Sequence, residues 1–506
     1  MRNIYFSEFH RKKYSSFGIF KVTIMQGKGG PVLTTKEAAA LLGVSPRRVN
    51  NLIEVGALKA QKFGRAWMVD EASVRERVQA KPQRGRPRAD AGVETARYTL
   101  MCHDHEVLAF TYHGRTGSVA AVEPLDGIAW KPFGVGRRDR EPNRYDMAEW
   151  LRDRAIPGLR PHLPSALRDL AVRTPAVLMF QSWGLSLSDP YWFRPEGVEV
   201  SWAAVNYYDN GYDEDFGDLM LTGLSPRNAG EPAFADGRPA SGAKGAPALT
   251  RSPDTATNGM LSKTWVRRRG TDYLIKGGTG NENREPYNEK LATRLLERLL
   301  DPNEFVPYAV TERHGRAYSS CANMAGPDTE LIPAQDVLTA FGITEGRDLH
   351  TGYLRALEEL GVEDGRRLID KMIVADYLMA NFDRHTHNFG LLRSVESLDG
   401  YRVAPLFDHG CGFYSRATTA ELEARPYVWE SHPFREYPSQ QLALVEDLAW
   451  YDPSALDGFL DDIAEVMGEN PEIDKRFIAA VQKQTERQIQ TVNDLAAERG
   501  VVVAGW

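Results

Sequence analysis

The sequence is poor in cysteine and has no long apolar run. Its 506 residues contain three cysteines, Cys102, Cys321 and Cys411, which excludes a disulfide framework and any zinc site built from four thiolates. No stretch reaches the length of a membrane span, and the N-terminus lacks the apolar segment of a secretory signal. We therefore expect an intracellular, cytoplasmic protein with no membrane partner.

Charge is distributed unevenly in a chain of otherwise ordinary composition. Hydrophobic residues make up 42% and charged residues 26%, as in soluble globular proteins, and the length allows two to four domains. Residues 1–98 carry 19 Lys and Arg against 8 Asp and Glu, a net +11, so the remainder of the chain carries −18. A basic N-terminal part on an acidic body suggests a nucleic-acid partner for that part. Residues 1–30 show no clean periodicity, and we expect a disordered leader.

Residues 31–80 have the pattern of a small DNA-binding domain. Thr34 and Glu37 predict a capping box for a first helix, Ser45 and Pro46 open a second helix, and residues 60–69 predict a hairpin wing before a helix capped by Asp70. This order resembles excisionase-type and MerR-type winged helix-turn-helix domains, which bind DNA, although a protein-docking module is the alternative. The candidate DNA contacts lie on the second helix, in the wing and in the AT-hook-like basic linker 81–96, and are Arg47, Arg48, Asn50, Asn51, Arg65 and Arg86.

Two stretches separate this domain from the third part of the chain. Residues 97–226 are aromatic-rich and predict an α+β region in which Trp and Tyr form a packing layer. His103, Asp104 and His105 could suggest a metal site, but a solvated hairpin turn is the preferred interpretation because a fourth ligand is missing. Residues 227–253 are rich in Gly, Ala and Pro and predict a flexible linker.

Polar residues cluster between residues 368 and 413, where a predicted helix and two predicted strands (389–392 and 401–407) end. Phosphoryl transfer needs a carboxylate to take the hydroxyl proton and oxygen ligands for magnesium. Asp383 and Asn388 have the spacing of the catalytic Asp and the metal-binding Asn in protein kinases, and Asp408 stands where the second metal-binding Asp would follow. Each residue alone would more often be a capping group, but their combined order favours catalysis.

A phosphate-binding half is predicted before this segment. A loop with Gly259 and Lys263 leads into two strands, 264–267 and 273–276, and Lys276 precedes a helix that carries Glu289. In kinases, a strand lysine contacts the nucleotide phosphates and is held by a glutamate of the following helix. Further elements are predicted as strands at 306–310 and 316–319 and helices at 442–450, 459–467 and 473–497.

The segments NFDRHTHNFG, APLFDHG and LIKGG with PYNE resemble those of HipA-type serine/threonine kinases. The resemblance implies an α+β, bilobal, protein-kinase-like core over 254–500, preceded by a HipA-associated region over 97–226. It also implies ATP and Mg²⁺ as cofactors, a Ser/Thr protein substrate and an antitoxin-like partner. A homodimer is expected from the helix-turn-helix domain, because such DNA binders are often dimers. The catalytic residues that the resemblance implies are Lys276, Asp383, Asn388 and Asp408, of which Asn388 and Asp408 also bind the metal. The implied nucleotide contacts are Gly259, Lys263, Lys276 and Glu289, and the implied autophosphorylation sites are Thr255, Thr257 or Ser262.

Two other functions remain open from the residues. A metal-dependent phosphohydrolase could use the four ligands Asp383, His385, His387 and Asp408. Alternatively, the kinase fold could be inactive and the protein a DNA-binding regulator. If the chain is a kinase, we expect one protein that combines a DNA-binding regulator with a kinase, and we expect bound DNA to influence kinase activity.

Overall fold

The computed structural model describes residues 32–42, 44–54, 58–63, 66–79, 95–114, 116–169, 174–223, 251–280, 282–344, 346 and 349–500. The chain separates into two compact units, residues 1–92 and 93–506. The leader, Arg65, the basic linker with Arg86 and residues 224–250 lie outside the described residues. No helix among the described residues is both long enough and apolar enough to cross a membrane.

The first unit is a helix-turn-helix with a three-stranded sheet. Its elements are β1 (Val32–Thr34), α1 (Thr35–Leu42), α2 (Pro46–Glu54), β2 (Ala60–Phe63), β3 (Ala66–Asp70) and α3 (Glu71–Gln79), with strand order β1-β3-β2. The predicted capping box is confirmed, because the N–H of Thr34 donates to Glu37 Oε2 over 2.8 Å and the N–H of Glu37 donates to Thr34 Oγ1. The wing is also confirmed. Strand β1 was not predicted, since three residues are too few for a period of two to show.

The second unit begins with an aromatic-rich α+β region. Its antiparallel sheet has the order β6-β5-β4-β7. The elements are β4 (Thr95–Cys102), β5 (His105–His113), β6 (Ser118–Pro124), α4 (Arg144–Arg154), α5 (Leu163–Asp169), α6 (Pro175–Gln181), β7 (Tyr191–Pro195), α7 (Trp202–Val205), α8 (Tyr207–Asn210) and α9 (Asp215–Thr222). The predicted packing layer is confirmed, because Trp183, Trp192, Tyr207 and Trp265 share one buried cluster.

The turn between β4 and β5 is exposed at Asp104 and His105, as predicted, and its two histidines also make local contacts. The His103 ring nitrogen Nε2 lies 3.0 Å from the carbonyl oxygen of Pro327. The ring of His105 stacks on Trp130 with 3.9 Å between centroids. The prediction of a solvated hairpin turn is therefore confirmed.

A β-rich lobe follows, with strand order β10-β11-β9-β8. It comprises β8 (Lys263–Arg268), β9 (Thr271–Lys276), α10 (Glu285–Leu299), β10 (Ala309–Arg313) and β11 (Arg316–Ala322). The strand predicted at 306–310 lies three residues later. The reason is that Val306 pairs with Leu406, whose carbonyl accepts its N–H over 2.9 Å, while the N–H of Tyr308 donates to Thr293 Oγ1.

The helical lobe contains a second small sheet of order β12-β13-β14. Its elements are β12 (Thr329–Pro333), α11 (Ala334–Phe341), α12 (Leu349–Glu359), α13 (Gly365–Leu378), β13 (Gly390–Ser394), β14 (Arg402–Val403), α14 (Thr419–Ala424), α15 (Pro438–Leu442), α16 (Phe459–Gly468) and α17 (Lys475–Glu498). One large core joins α10 to most of these helices. The last two predicted helices are confirmed as α16 and α17.

Two predicted elements of this lobe were wrong in extent. The strand at 401–407 is reduced to β14, because Leu406 leaves the hairpin and donates its N–H to the carbonyl of Glu304 over 2.8 Å. The helix at 442–450 is absent, since α15 ends at Leu442 and the N–H groups of Glu446 and Asp447 donate to the buried carboxylate of Asp370. Apolar periodicity alone cannot reveal such long-range partners.

Candidate active site

Three charged side chains meet where β9, α10 and the segment after β14 converge. Lys276 ends β9, and its Nζ lies 2.5 Å from Glu289 Oε1 and 2.7 Å from Asp408 Oδ1. Lys276 and Glu289 are almost fully buried, with 3% and 1% of their surface exposed. The structure thus brings together the lysine, the helix glutamate and the second aspartate that the sequence singled out.

The electrostatics of this cluster keep Lys276 and Asp408 charged. Burial opposes charge on the lysine, but the carboxylates of Asp408 and Glu289 raise the pKa of Lys276 well above its ordinary value. Burial likewise opposes charge on Asp408, but Lys276 and Lys263 lower the pKa of that carboxyl strongly. Burial raises the pKa of Glu289, against the opposing effect of Lys276. The ionised Asp408 is available to a cation.

The backbone around Asp408 is fixed by α10. The N–H of His409 donates to Glu289 Oε2 over 2.9 Å, so this one carboxylate holds both Lys276 and the chain next to Asp408. Asn288 Nδ2 donates to the carbonyls of Gly410 and Gly412 over 3.1 and 2.9 Å. Asp408 itself has a left-handed φ of 61°, which costs energy for a residue with a Cβ and needs such restraint. The positioning by Asn288 was not predicted from the sequence.

Arg384 connects the turn that carries Asp383 to the strand that leads to Asp408. Its side chain is fully buried, and Nε and Nη2 donate to the Asp376 carboxylate over 2.8 and 2.9 Å. Its Nη1 donates to the carbonyls of Asn388 and Phe407, each over 2.5 Å. Sequence reasoning missed this residue. Its position directly after Asp383 was the available signal.

The polar turn places Asp383 and Asn388 beside each other. Asn388 Nδ2 donates to the carbonyl of Asp383 over 2.9 Å. The thiol of Cys411 contacts Asp383 Oδ2 over 3.6 Å, which brings this carboxylate next to the segment after Asp408. Burial raises the pKa of Cys411, so its thiol stays protonated and can donate. Asp383, Asn388 and Asp408 therefore belong to one region of the molecule.

The predicted phosphate loop passes close to the same cations. A Cβ at Gly259 would lie 2.2 Å from Lys263 Nζ, the end of a flexible side chain, and Gly259 has a φ of +98°, so the backbone conformation favours glycine here. Burial lowers the pKa of Lys263 to about 7. The hydroxyl of Thr255 donates to the carbonyl of Ser252, and that of Thr257 donates to the carbonyl of Pro253.

Arg160, far away in sequence, holds this loop from the other side. Its Nε donates to the carbonyl of Gly259 over 2.9 Å, and Nη2 donates to the carbonyl of Thr257. The residue lies between α4 and α5. No local pattern in the sequence pointed to it, because its partners are 97 and 99 residues away.

The two histidines near Asp383 form a contact of their own. The N–H of His387 donates to His385 Nδ1 over 3.3 Å, as expected if His385 supports the turn. Burial lowers the pKa of His387. The four residues considered as phosphohydrolase ligands are not gathered around one point, since the described residues contain no group of three or more His, Cys, Asp or Glu placed to hold a metal.

The oxygen groups present suit magnesium. Lys276 Nζ is paired with Asp408 Oδ1, and Asn388 Nδ2 is used by the Asp383 carbonyl, so the hydrogen-bonding pattern leaves Asp408 Oδ2 and Asn388 Oδ1 for another partner. Carboxylate and amide oxygens are the ligands that Mg²⁺ prefers, together with substrate phosphates. These residues fit the cofactor that the sequence suggested.

The predicted DNA contacts are described only in part. Asn51 is exposed on α2, whereas the side-chain oxygen of Asn50 is buried and has no hydrogen-bond partner among the described residues. Arg47 and Arg48 lie on α2, but their side chains lie outside the described part of the chain, as do Arg65 and Arg86. Of the six residues, Asn51 is the one whose described side chain is open to a ligand.

Comparison with known proteins finds similarities in both parts of the chain. Residues 32–82 match the family model of a helix-turn-helix domain. A stretch of 46 residues is 50% identical to the serine/threonine-protein kinase CtkA of Helicobacter pylori J99, and this match covers 9% of the chain and 14% of that relative. The chain thus spans about one seventh of the length of the curated relative that it matches.

Two solved structures are also similar. The crystal structure of the proinflammatory kinase CtkA of Helicobacter pylori matches 47% of this chain and 94% of its own, with 18% identity and a TM-score of 0.36. A chain from the HipA, HipB and operator DNA complex of the Shewanella oneidensis MR-1 toxin–antitoxin system matches 80% of this chain and 99% of its own, with 14% identity and a TM-score of 0.47. The predicted resemblance to HipA-type kinases behind a helix-turn-helix domain is confirmed, as is the mixed α+β fold.

Proposed function

We propose that the chain is an ATP- and Mg²⁺-dependent serine/threonine protein kinase of the HipA type, fused to a DNA-binding domain. The observation that carries this proposal is the buried contact of Lys276 with both Glu289 and Asp408. Burying a cation with two acids costs desolvation free energy and contributes little to stability, so a functional role explains this cluster better than a structural one. In kinases this arrangement places a lysine on the nucleotide phosphates next to a metal-binding aspartate.

Each candidate residue of the site has its own role in the proposed phosphoryl transfer. Lys276 and Lys263 bind the phosphates, and Glu289 keeps Lys276 in place. Mg²⁺, held by Asp408 and Asn388 through oxygen, would neutralise charge on the phosphates. Asp383 accepts the proton of the Ser or Thr hydroxyl as that oxygen bonds to the γ-phosphorus and ADP leaves. Because little covalent chemistry is left to the protein, catalysis depends on positioning and electrostatics.

The contact between Asp383 and Cys411 supports the proposed geometry. Asp383, the proposed base, lies next to the segment after Asp408, the proposed metal ligand, with 3.6 Å between the Cys411 sulfur and the Asp383 carboxylate oxygen. Arg384 makes the same connection through the backbone. A base and a metal ligand held at a fixed separation are what an in-line transfer requires.

The first unit carries the DNA-binding part of the proposed function. The helix-turn-helix match and the net charge of +11 over residues 1–98 favour binding to duplex DNA. Partners proposed with it are a protein substrate carrying Ser or Thr, an antitoxin-like protein and a second copy of the chain. A role in toxin-like or transcriptional regulation follows from joining the two activities in one chain.

The deciding experiment follows label from γ-labelled ATP with Mg²⁺ onto protein and into free phosphate. The full chain and its Asp383→Asn variant are compared, and Asp457→Asn, an exposed aspartate of the helical lobe, is the matched control. We expect labelled protein with the natural chain and with the control, and a loss of about 100-fold or more with Asp383→Asn, the range of a lost general base.

Each alternative has its own signature in this assay. Release of phosphate from phosphoesters without ATP would replace the proposal by a phosphohydrolase. ATP binding without transfer to the chain or to a panel of cell proteins would favour a DNA-binding regulator with an inactive kinase fold. Equal labelling of the natural chain and of Asp383→Asn would remove Asp383 from the mechanism.

A further inference from the structure

Arg160 is buried without the carboxylate partner that other buried arginines of the chain have. It is 1% exposed. Arg154 donates to Asp189 over 2.6 and 2.8 Å, and Arg384 donates to Asp376. Arg160 makes no ion pair with the described residues, and its Nη1 is buried without a hydrogen-bond partner there. Burying a charge in this way is costly, so its carbonyl contacts must be its structural purpose.

The carboxylate whose charge acts on Arg160 does not change this conclusion. Asp254 influences Arg160 through its charge, but its oxygens accept from the N–H of Trp265, from Thr264 Oγ1 and from Ser252 Oγ. Burial raises the pKa of Asp254 to about 7, while burial lowers the pKa of Arg160 to about 10. The guanidinium therefore remains charged, and its direct contacts are with the loop backbone.

Those contacts set the direction of two peptide groups. In a trans peptide, the C=O of one residue and the N–H of the next point in opposite directions, and the one cis peptide among the described residues is His432-Pro433. Because Arg160 draws the carbonyls of Thr257 and Gly259 toward itself, the N–H groups of Asn258 and Met260 point away from it. Neither N–H donates a hydrogen bond to the described part of the chain.

These free N–H groups flank the residue that contacts Lys263. Gly259 lies between them, and its missing Cβ leaves room for Lys263 Nζ. The backbone of Lys263 is paired in the β8–β9 ladder, but its ammonium makes no hydrogen bond or ion pair with the described residues, and its charge acts on Asp408. Two backbone donors and an ammonium without an ion-pair partner in the described part of the chain thus lie beside one glycine, and such a group of donors is of the kind that binds phosphate.

We propose that Arg160 is a positioning residue of the nucleotide site, which holds the Thr257 and Gly259 carbonyls so that the N–H groups of Asn258 and Met260 meet the phosphates of ATP. This rests on the proposed function. It also makes nucleotide binding depend on the aromatic-rich α+β region, since Arg160 belongs to that region and the loop to the β-rich lobe.

The test measures binding of ATP and of adenosine to the full chain by displacement of a fluorescent ATP analogue. The variants are Arg160→Gln and Arg160→Lys, and the control is Arg152→Gln on α4, whose side chain is 68% exposed. We expect Arg160→Gln to weaken ATP binding about tenfold or more, the effect of losing a hydrogen bond to a charged group. Adenosine affinity should change less than about twofold, and Arg160→Lys should recover part of the ATP affinity because one carbonyl contact can remain.

A second variant keeps the test decisive if Arg160 substitutions unfold the protein. Met260→Pro removes one of the two N–H donors and leaves Arg160 untouched, at a residue that is 50% exposed. It should also weaken ATP but not adenosine. Thermal unfolding midpoints identify variants that lose structure.

The outcomes separate this inference from the function on which it rests. If the natural chain binds ATP and both Arg160→Gln and Met260→Pro bind it within about twofold as tightly, the inference is wrong and the proposed function stands. An equal loss of ATP and adenosine affinity would also overturn it, because it would show a general structural role. A natural chain that binds no ATP would overturn the proposed function itself and the inference with it.

Discussion

At the scale of single residues, Lys263 is the group whose charge is most open to change. It lies close enough to Arg160 and Lys276 for both cations to affect its titration, and burial is the largest effect. The resulting pKa of about 7 is far below the ordinary value for lysine, roughly 10.4. Near neutral pH this side chain is therefore divided between its charged and neutral forms. A phosphate placed beside it would favour the charged form.

This predicts that ATP binding takes up a proton and weakens as pH rises. Above about pH 7.5 phosphate groups are already doubly ionised, while Lys263 is mostly neutral and must gain a proton to pair with them. We expect the Kd for ATP to rise several-fold from about pH 7.5 to 9, measured by titration calorimetry in buffers of different ionisation enthalpy.

Lys263→Met is the control for that pH dependence. The variant should bind ATP more weakly at about pH 7.5 and should show a flatter dependence of Kd on pH, without proton uptake. If the natural chain and Lys263→Met share the same slope, another group is responsible and the assigned role of Lys263 is wrong.

At the scale of elements, periodicity predicted a helix at residues 442–450, but hydrogen bonds to a buried carboxylate hold this segment instead. Asp370 lies on α13, and its Oδ2 accepts the N–H groups of Glu446 and Asp447 over 3.0 and 2.9 Å. Those two donors would otherwise need helical partners or water. The chain after α15 can therefore run without regular structure against the core of the helical lobe.

Asp370→Ala should loosen this segment selectively. It leaves the two N–H groups without their partner, at a cost of about 2 kcal/mol or more, which corresponds to roughly 30-fold faster hydrogen exchange for the amides near Glu446 and Asp447. Asp301→Ala, at an exposed position of the same unit, should leave exchange there unchanged. Unchanged protection in Asp370→Ala would show that other contacts hold the segment.

At the scale of the whole molecule, the chain joins two compact units of different charge. Residues 1–92 form the helix-turn-helix unit, and residues 93–506 form the unit with the candidate active site. The net charge of +11 over residues 1–98 predicts electrostatic attraction to DNA phosphates and a strong dependence on salt.

Removal of residues 1–92 should therefore abolish binding to mixed-sequence duplex DNA. For the full chain, the logarithm of affinity should fall linearly with the logarithm of salt concentration between about 50 and 200 mM, measured by fluorescence anisotropy. Asn51→Ala, on the exposed side of α2, should lower affinity for a selected specific site more than for random DNA. A shortened chain that binds DNA as well as the full chain would place the DNA site elsewhere.

Coupling between the units is a separate prediction. If DNA influences the kinase, the rate of protein labelling by the full chain should change when duplex DNA is added, while that of residues 93–506 should not. Equal rates in all four conditions, with DNA binding intact, would show that the two activities are merely carried by one chain.

The sequence by itself determined which secondary-structure elements could be recognised locally, and it predicted the order of parts and the candidate residues of the site. Local rules can identify features that depend on neighbours along the chain. Such features are the capping at Thr34, the spacing of Asp383 and Asn388, and the position of Lys276 before a helix with Glu289. The long, strongly periodic helices α10, α13, α16 and α17 were predictable for the same reason. Roles for these residues remain proposals that the experiments above test.

Only the tertiary structure decided which distant groups act on one another. Three sets of contacts join residues at least 23 positions apart. They are the hydrogen bonds of Arg160 with Thr257 and Gly259, of Arg384 with Phe407, and of Asp370 with Glu446. Such contacts leave no periodic trace, because any polar residue at those positions could equally face water. Folding fixes the positions of the buried charged side chains of this protein. It also determines which of their hydrogen-bonding groups remain free for a ligand.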